Sequence, residues 1–380
     1  MNRLAVLLTI LAALPAAGAA AQGVQYTITD LGTLPGGPGS SAAGINNSGQ
    51  IVGNSGTSVF VYSGGQMQAI GGTSPGSNPI VAVAINNSGQ VIVNTQEVAP
   101  GGGADDSAFL YSGGAFQALG TLPGYPYAMA NGINGAGQVV GASYWPSFTL
   151  VPEPPPHAFL YSGGAMQDLG TFPGGSQSKA TGINDPGQVV GYADNASGNS
   201  HAFLWTSGTM QDLGTLPGGP NSYAEAVNNS GQVVGYGDAS SGYEHAFLYS
   251  GGTMQDLGLL ANANQSVALG INNRGQVVGW AGFLGEGMGA FLYSDGAMVD
   301  LNALVGPSSG WTLQEATGIN DSGQIVGTGT NPSGQYDAFL LTPSPEPSTL
   351  CLSIVCGPLL LAFHLCRRRR GTQPSGGARG

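Results

Sequence analysis

Three groups of side chains in this 380-residue sequence have the types and spacing to do chemistry. The first sits in two long insertions. Residues 95–106 carry Glu97, Asp105 and Asp106, and residues 143–156 carry Tyr144, Trp145, Phe148 and Glu153. Aromatic faces of this kind stack on sugar rings, while the carboxylates suit calcium or hydroxyl groups. If Glu97, Asp106 or Glu153 converged beside a cation or histidine, they would suit a glycosidase or a polysaccharide lyase, whose paired carboxylates must stand roughly 5–10 Å apart. The same residues also read as solvated insertions with one apolar anchor. The second group is His157, His201 and His245, and the third is Asp30, Asp168, Asp212 and Asp256. Both groups recur at repeat spacing, so their members point in different directions around any ring. They therefore read as structural histidines and as capping or cross-strand aspartates. No nucleophile elbow, phosphate-binding loop or helical metal-ligand pair is present.

The elements that must position these residues follow from a repeat. Gly44-Ile-Asn-Asn-Ser-Gly-Gln-Ile-Val-Gly53 returns in seven copies, starting at 44, 84, 132, 182, 226, 270 and 318. Neighbouring copies lie 40 to 50 residues apart, a period that signals a propeller, solenoid or array. The fourth copy shows the pattern. Ala180–Asn184 and Gln188–Ala193 read as strands around an Asp-Pro-Gly turn, followed by His201–Trp205 and Thr209–Leu213. The turn needs Asn or Asp to bond the backbone two residues on and a glycine to take positive φ. Asn-x-Ser at Asn46, Asn86 and Asn228 restates this turn and is weak as a glycosylation signal. No stretch shows a helical period.

Four short strands per repeat make an antiparallel sheet, and seven such sheets arranged radially make a β-propeller. The chain ends distinguish a ring from a stack. The last copy stops after Asp337–Leu341 without a fourth strand, whereas Gln25–Leu31 carries the fourth-strand signature at the other end. A closed ring has reason to split one sheet across its ends, because the pairing removes an exposed edge. The expected fold is all-β, a seven-bladed β-propeller over residues 22–343 closed by N- and C-terminal strands. Strand order puts the first–second and third–fourth hairpins on one face and the longer, variable second–third loops on the other, where loops on a rigid scaffold usually bind.

Composition narrows the partners. Charged residues make up 7% of the chain, and between residues 23 and 343 only Lys179 and Arg274 face 19 acidic residues. That balance argues against nucleic acid and anionic membrane surfaces. It suits calcium or a cationic partner, or solubility alone. All 3 cysteines fall between residues 351 and 366, leaving no disulfide, thiolate metal site or cysteine nucleophile in the repeats.

The ends carry an address. Residues 1–21 combine Arg3, an apolar run and Ala19-Ala20-Ala21, the pattern of a secretory signal peptide. Residues 344–370 hold Pro345-Glu346-Pro347, an apolar run from Thr349 to Cys366 and Arg367, Arg368, Arg369 and Arg370; residues 371–380 follow as a cytoplasmic tail. Eighteen helical residues reach roughly 27 Å, near the ~30 Å of a bilayer core, and the arginines place the tail inside. This order resembles the PEP-CTERM sorting signal. The resemblance implies processing by an exosortase, a transient anchor in the bacterial inner membrane through a transmembrane sorting helix, and release to the cell surface or exopolysaccharide matrix. The fragments His-Ala-Phe-Leu-Tyr at His157 and His245 resemble the exported HAF-repeat family, with Val93 and Asp295 departing from it. That family brings no firm activity. The expectation is a non-enzymatic exported surface or matrix propeller that binds polysaccharide or another surface component and needs no cofactor. The alternatives are a carbohydrate-active enzyme and a structural spacer.

Overall fold

The computed structural model describes residues 25–71, 80–95, 107–145, 154–283 and 287–344. It contains seven four-stranded sheets, each antiparallel where consecutive strands pair. We call them blades one to seven and their strands a to d from the inside outwards. In chain order the first strands are Ser40–Ile45, Ile80–Ile85, Tyr127–Ile133, Ser178–Ile183, Ser222–Val227, Gln265–Ile271 and Thr312–Ile319; blade four continues with Val189–Asp194, Ser200–Thr206 and Thr209–Asp212, and blade five with Val233–Asp238, Glu244–Ser250 and Thr253–Asp256. In blade seven Thr312–Ile319, Ile325–Thr330 and Tyr336–Pro343 supply a to c, and Tyr26–Asp30 supplies d. The Leu31 N–H donates to the Ala338 carbonyl at 3.0 Å, so the expected closure is present. Residues Tyr26–Thr342 form one compact unit.

The hairpin chemistry explains the strand ends. At the c–d turn of blade three, Gly163 and Gly164 have φ of 59° and 86°, the two positive values a tight hairpin demands. In blade six Asp295 takes the first of these places at φ 55°, a conformation Asp tolerates better than most residues. Two short elements depart from the all-β expectation, the 3-10 turn Pro307–Ser309 and the helix just before it. Leu301–Val305 is a short helix between blades six and seven, with Asp300 as its N-cap accepting from the Asn302 N–H. Its single turn is too short for a periodic signal, and it is held by the fully buried Leu301.

The core lies between blades. On each strand c a phenylalanine stands opposite strand b, as Phe247 stands opposite Gly235. Six of these rings are fully buried. Glycine is required beneath them because a Cβ at Gly235 would run into the Tyr223 carbonyl oxygen and the Ala224 backbone. Blade two has Val93 instead, and there Phe109 is 8% exposed rather than 0%. The extra bulk coincides with a ring less deeply seated.

The repeated Asn-x-x-x-Gln of the a–b turn locks the blades together at the axis. Each first asparagine (46, 86, 134, 184, 228, 272 and 320) is 3–4% exposed. Its Nδ2 donates to the carbonyl of the same asparagine in the next blade, at 2.9–3.1 Å, and Asn320 returns the chain of bonds to Asn46. Nδ2 also donates to the glutamine four residues on, and Oδ1 accepts that glutamine's N–H. Asn184 lacks the further N–H that the others accept from two residues on, since Pro186 has none.

Two expectations follow. Replacing Asn228 by alanine strands several buried donors and acceptors, each worth about 1–3 kcal/mol when left unpaired. Asn320→Ala should lower the denaturation midpoint as much as Asn228→Ala, because a closed ring has no weak end. A much smaller loss at Asn320 would show the ring open. Gly235→Val should cost more than about 3 kcal/mol through overpacking, read as a lower thermal midpoint.

Candidate functional site

The first strands of successive blades contact one another all the way round, so strands a line a central channel. Its two ends differ in chemistry. At the a–b end a cavity of about 180 Å³ is lined by the asparagine ring and the residues that follow it. These followers form a second tier. Asn47, Gly135, Asp185, Asn229, Asn273 and Asp321 each donate a main-chain N–H to the side chain of the next blade, at 2.8–3.0 Å. The link from Asn87 is missing because Gly135 has no side chain to receive it. Asp321 accepts from the Asn273 N–H, the Asn273 carboxamide and the Asn47 carboxamide. Burial alone would raise its pKa, but these bonds and nearby Arg274 hold the carboxyl below its ordinary value. This end is polar and already hydrogen-bonded, which suits fastening more than capture.

The b–c end gathers aromatic rings and carboxylates. Where blades four and five meet, Tyr192 of strand b approaches Tyr223 of the next strand a edge-on, with centroids 5.0 Å apart. Tyr223 stacks at 5.0 Å and 26° on Tyr236 of its own blade, its register partner. Two residues along from Tyr223 is Glu225, at the bulge that shifts the register between Ala224 and Ala226, and its charge acts on both Tyr192 and Tyr236. Burial pushes the Glu225 carboxyl up to about 7, an effect only partly offset by the Lys179 ammonium. Asp238 and Glu244 stand directly opposite each other across strands b and c of blade five. Burial and Asp238 together raise the Glu244 carboxyl. Like charges placed opposite destabilise a sheet, so this corner carries a cost that nothing in the packing requires. Sequence reasoning passed over this cluster. Its signal is Glu225 itself, at the strand a position where the other repeats have Ala43, Val83, Asn131, Thr181, Leu269 and Thr317.

Of the residues singled out in the two insertions, Tyr144 and Trp145 are described. Both lie on the b–c face of blade three. Tyr144 packs on Tyr127 with centroids 5.9 Å apart, and the Trp145 indole N–H donates to the Gly124 carbonyl at 3.0 Å. Trp145 is thereby tied to the preceding d–a loop, as an anchor would be. Glu97, Asp105, Asp106, Phe148 and Glu153 lie outside the described residues, as do the signal peptide and the sorting signal with Pro345, Glu346, Pro347 and Arg367 to Arg370. Among the described residues no helix is long and apolar enough to cross a membrane, and no three metal-ligating side chains gather.

The repeated histidines and aspartates meet each other. His157, His201 and His245 bond through Nδ1 to Asp168, Asp212 and Asp256 at 2.8–2.9 Å. Each aspartate also accepts the N–H two residues on, from Gly170, Gly214 or Gly258. The pair clips strand c to the end of strand d. The far nitrogen lies 3.1 Å from the Asn195 carboxamide nitrogen in blade four and 3.3 Å from the Ser241 hydroxyl in blade five. Recurrence in three successive blades marks a fastening; a single reaction centre would break the repeat.

Comparison with known proteins adds the fold and little more. Residues 176–342 match a family described as a protein of unknown function, DUF3466. No curated protein matches the chain. The streptogramin B lyase structure is 11% identical with a TM-score of 0.50, covering 84% of this chain and 98% of that one. A gluconolactonase from Xanthomonas campestris is 11% identical with a TM-score of 0.42, over 86% and 93%. The extracellular domain of a protein described as a one component system from B. thetaiotaomicron is 12% identical with a TM-score of 0.50; 83% of this chain spans 39% of it. At such identities the likeness is one of fold.

The Glu225 carboxyl makes a pH prediction. Its folded pKa, about 7, lies above the ordinary 4.5, so the folded state holds the proton more tightly. Stability therefore falls as pH rises from 4.5 through 7 and levels off above. Glu225→Gln should be nearly neutral at pH 4 and stabilising at pH 8, by on the order of 3 kcal/mol at most. Thermal melts at the two pH values check this, and equal shifts at both would refute it.

Proposed function

We propose that this protein is a non-enzymatic, exported surface or matrix propeller that binds polysaccharide, or another surface component, through its b–c face. The observation that carries the reading is the aromatic cluster at the b–c end of the channel. Tyr192, Tyr223 and Tyr236 gather there beside Glu225, and Tyr127 and Tyr144 form a second pair on the same face. Aromatic faces with flanking polar groups suit sugar rings, which present C–H bonds on one side and hydroxyls at the rim. The resemblance of the repeats to the exported HAF-repeat family supports export. The Pro345-Glu346-Pro347, apolar and Arg367–Arg370 segments support exosortase sorting through a transient inner-membrane anchor.

A glycan array probed with the full-length protein tests the reading. The expected result is signal on a restricted set of oligosaccharides that Tyr223→Ala abolishes while the variant keeps its melting transition. A blank array would remove the carbohydrate role.

A further inference from the structure

Among the described residues, three features together distinguish the blade four–five corner from the other junctions of the ring. It has a stacked aromatic pair with a third ring edge-on to it. It has the carboxylate pair Asp238 and Glu244 held opposite each other. It has Glu225 on an innermost strand, half-buried and with no hydrogen-bond partner among the described residues. Asp238 is engaged by the Asn221 carboxamide, which leaves Glu225 and Glu244 as the groups with acceptor capacity to spare. The one nearby cation, Lys179, leaves the corner with net negative charge. A ligand that relieves all three features must offer an apolar face to the tyrosines and positive charge to the carboxylates.

We propose that this corner binds a saccharide carrying a free amine, an amino-sugar unit of a cationic polysaccharide. The C–H face of the ring lies against Tyr223 and Tyr236, and the ammonium is directed to Glu225. Glu225 follows Tyr223 by two residues, at the bulge between Ala224 and Ala226, and lies near enough to Tyr236 and Tyr192 for its charge to act on both, beside the rings on which a sugar would stack. A cation beside tyrosine faces gains further attraction from the ring quadrupoles. An N-acetylated unit would bring no charge to Glu225, and a site built for a charged group rejects the analogue that lacks it. The proposal rests on the polysaccharide reading above and makes it specific.

The test is calorimetric titration of the full-length protein at neutral pH with three oligosaccharides of equal length. These are a deacetylated chito-oligosaccharide, its fully N-acetylated form and a neutral β-glucan. The salt should be about 0.15 M, where screening acts beyond roughly 8 Å and suppresses diffuse attraction of a polycation to an acidic protein. The free-amine oligomer should bind about tenfold or more tighter than the acetylated one, a charge-assisted bond against none. Glu225→Gln should erase that preference while keeping the fold, and Tyr223→Ala, which alters no charge, should weaken binding of the amine form by about tenfold. Equal affinity for the acetylated or glucan oligomers overturns the amine specificity and leaves the polysaccharide reading standing. Amine binding indifferent to both substitutions overturns the site. No binding of any oligomer overturns both.

Discussion

Everything in this molecule hangs on one carboxamide repeated seven times. The ring asparagine uses its two N–H bonds to reach the next blade and its own glutamine, and its oxygen holds the turn in shape. Turn geometry and blade-to-blade spacing are therefore set by the same atoms. Leucine or serine at this position could supply bulk or one hydrogen bond but not both functions. Because Asn320 bonds to Asn46, the ring has no first or last member, and each blade is held by two neighbours of identical chemistry. The strand shared between the chain ends does the same work at the rim of blade seven. One closure is made by side chains at the axis and the other by main chain at the periphery, so neither is asked to hold the disc alone.

Much of this was open to reading because the constraint is local and repeated. Asparagine, glycine and glutamine at fixed offsets announce the turn, and the displaced fourth strand at Tyr26 announces closure. The aromatic and acidic corner between blades four and five was hidden for the opposite reason. Tyr192, Tyr223 and Tyr236 come from three strands of two blades, and no motif spacing brings 31 or 13 residues of separation to mind as contact. The His–Asp clips fell between these cases. Both members were visible as periodic residues, yet their mutual bond depends on the register between strands c and d, which periodicity alone does not supply. The helix at Leu301 was invisible because one turn carries no period. The insertions that drew most attention in the sequence contribute Trp145 as an anchor to the loop before strand a.

The two ends of the channel show how a fold divides its labour. At the a–b end nearly every donor and acceptor is matched, and substitution there is confined to residues that keep the match, with Gly135 as the one gap. Midway along the same strands one equivalent position carries alanine, valine, asparagine, threonine, leucine or glutamate. Such latitude exists only because blade geometry is already fixed elsewhere. Strain at the b–c end, such as the opposed Asp238 and Glu244, is then tolerated without loss of the fold.

Two carboxylates make the contrast quantitative in sign. Asp321 sits in the fastened face and is held below its ordinary pKa by three hydrogen bonds from neighbouring asparagines, so its charge is part of the structure. Glu225 sits midway along its innermost strand and is driven up towards neutrality by burial, so its charge is a cost to the structure. A group of the first kind gains nothing from a ligand, whereas a group of the second kind gains a counter-charge that the protein withholds. Pocket volume alone points to the asparagine ring. The raised carboxyl marks a different stretch of the same channel as the place where a counter-charge would be gained, since a ligand shifts an equilibrium only by what it adds.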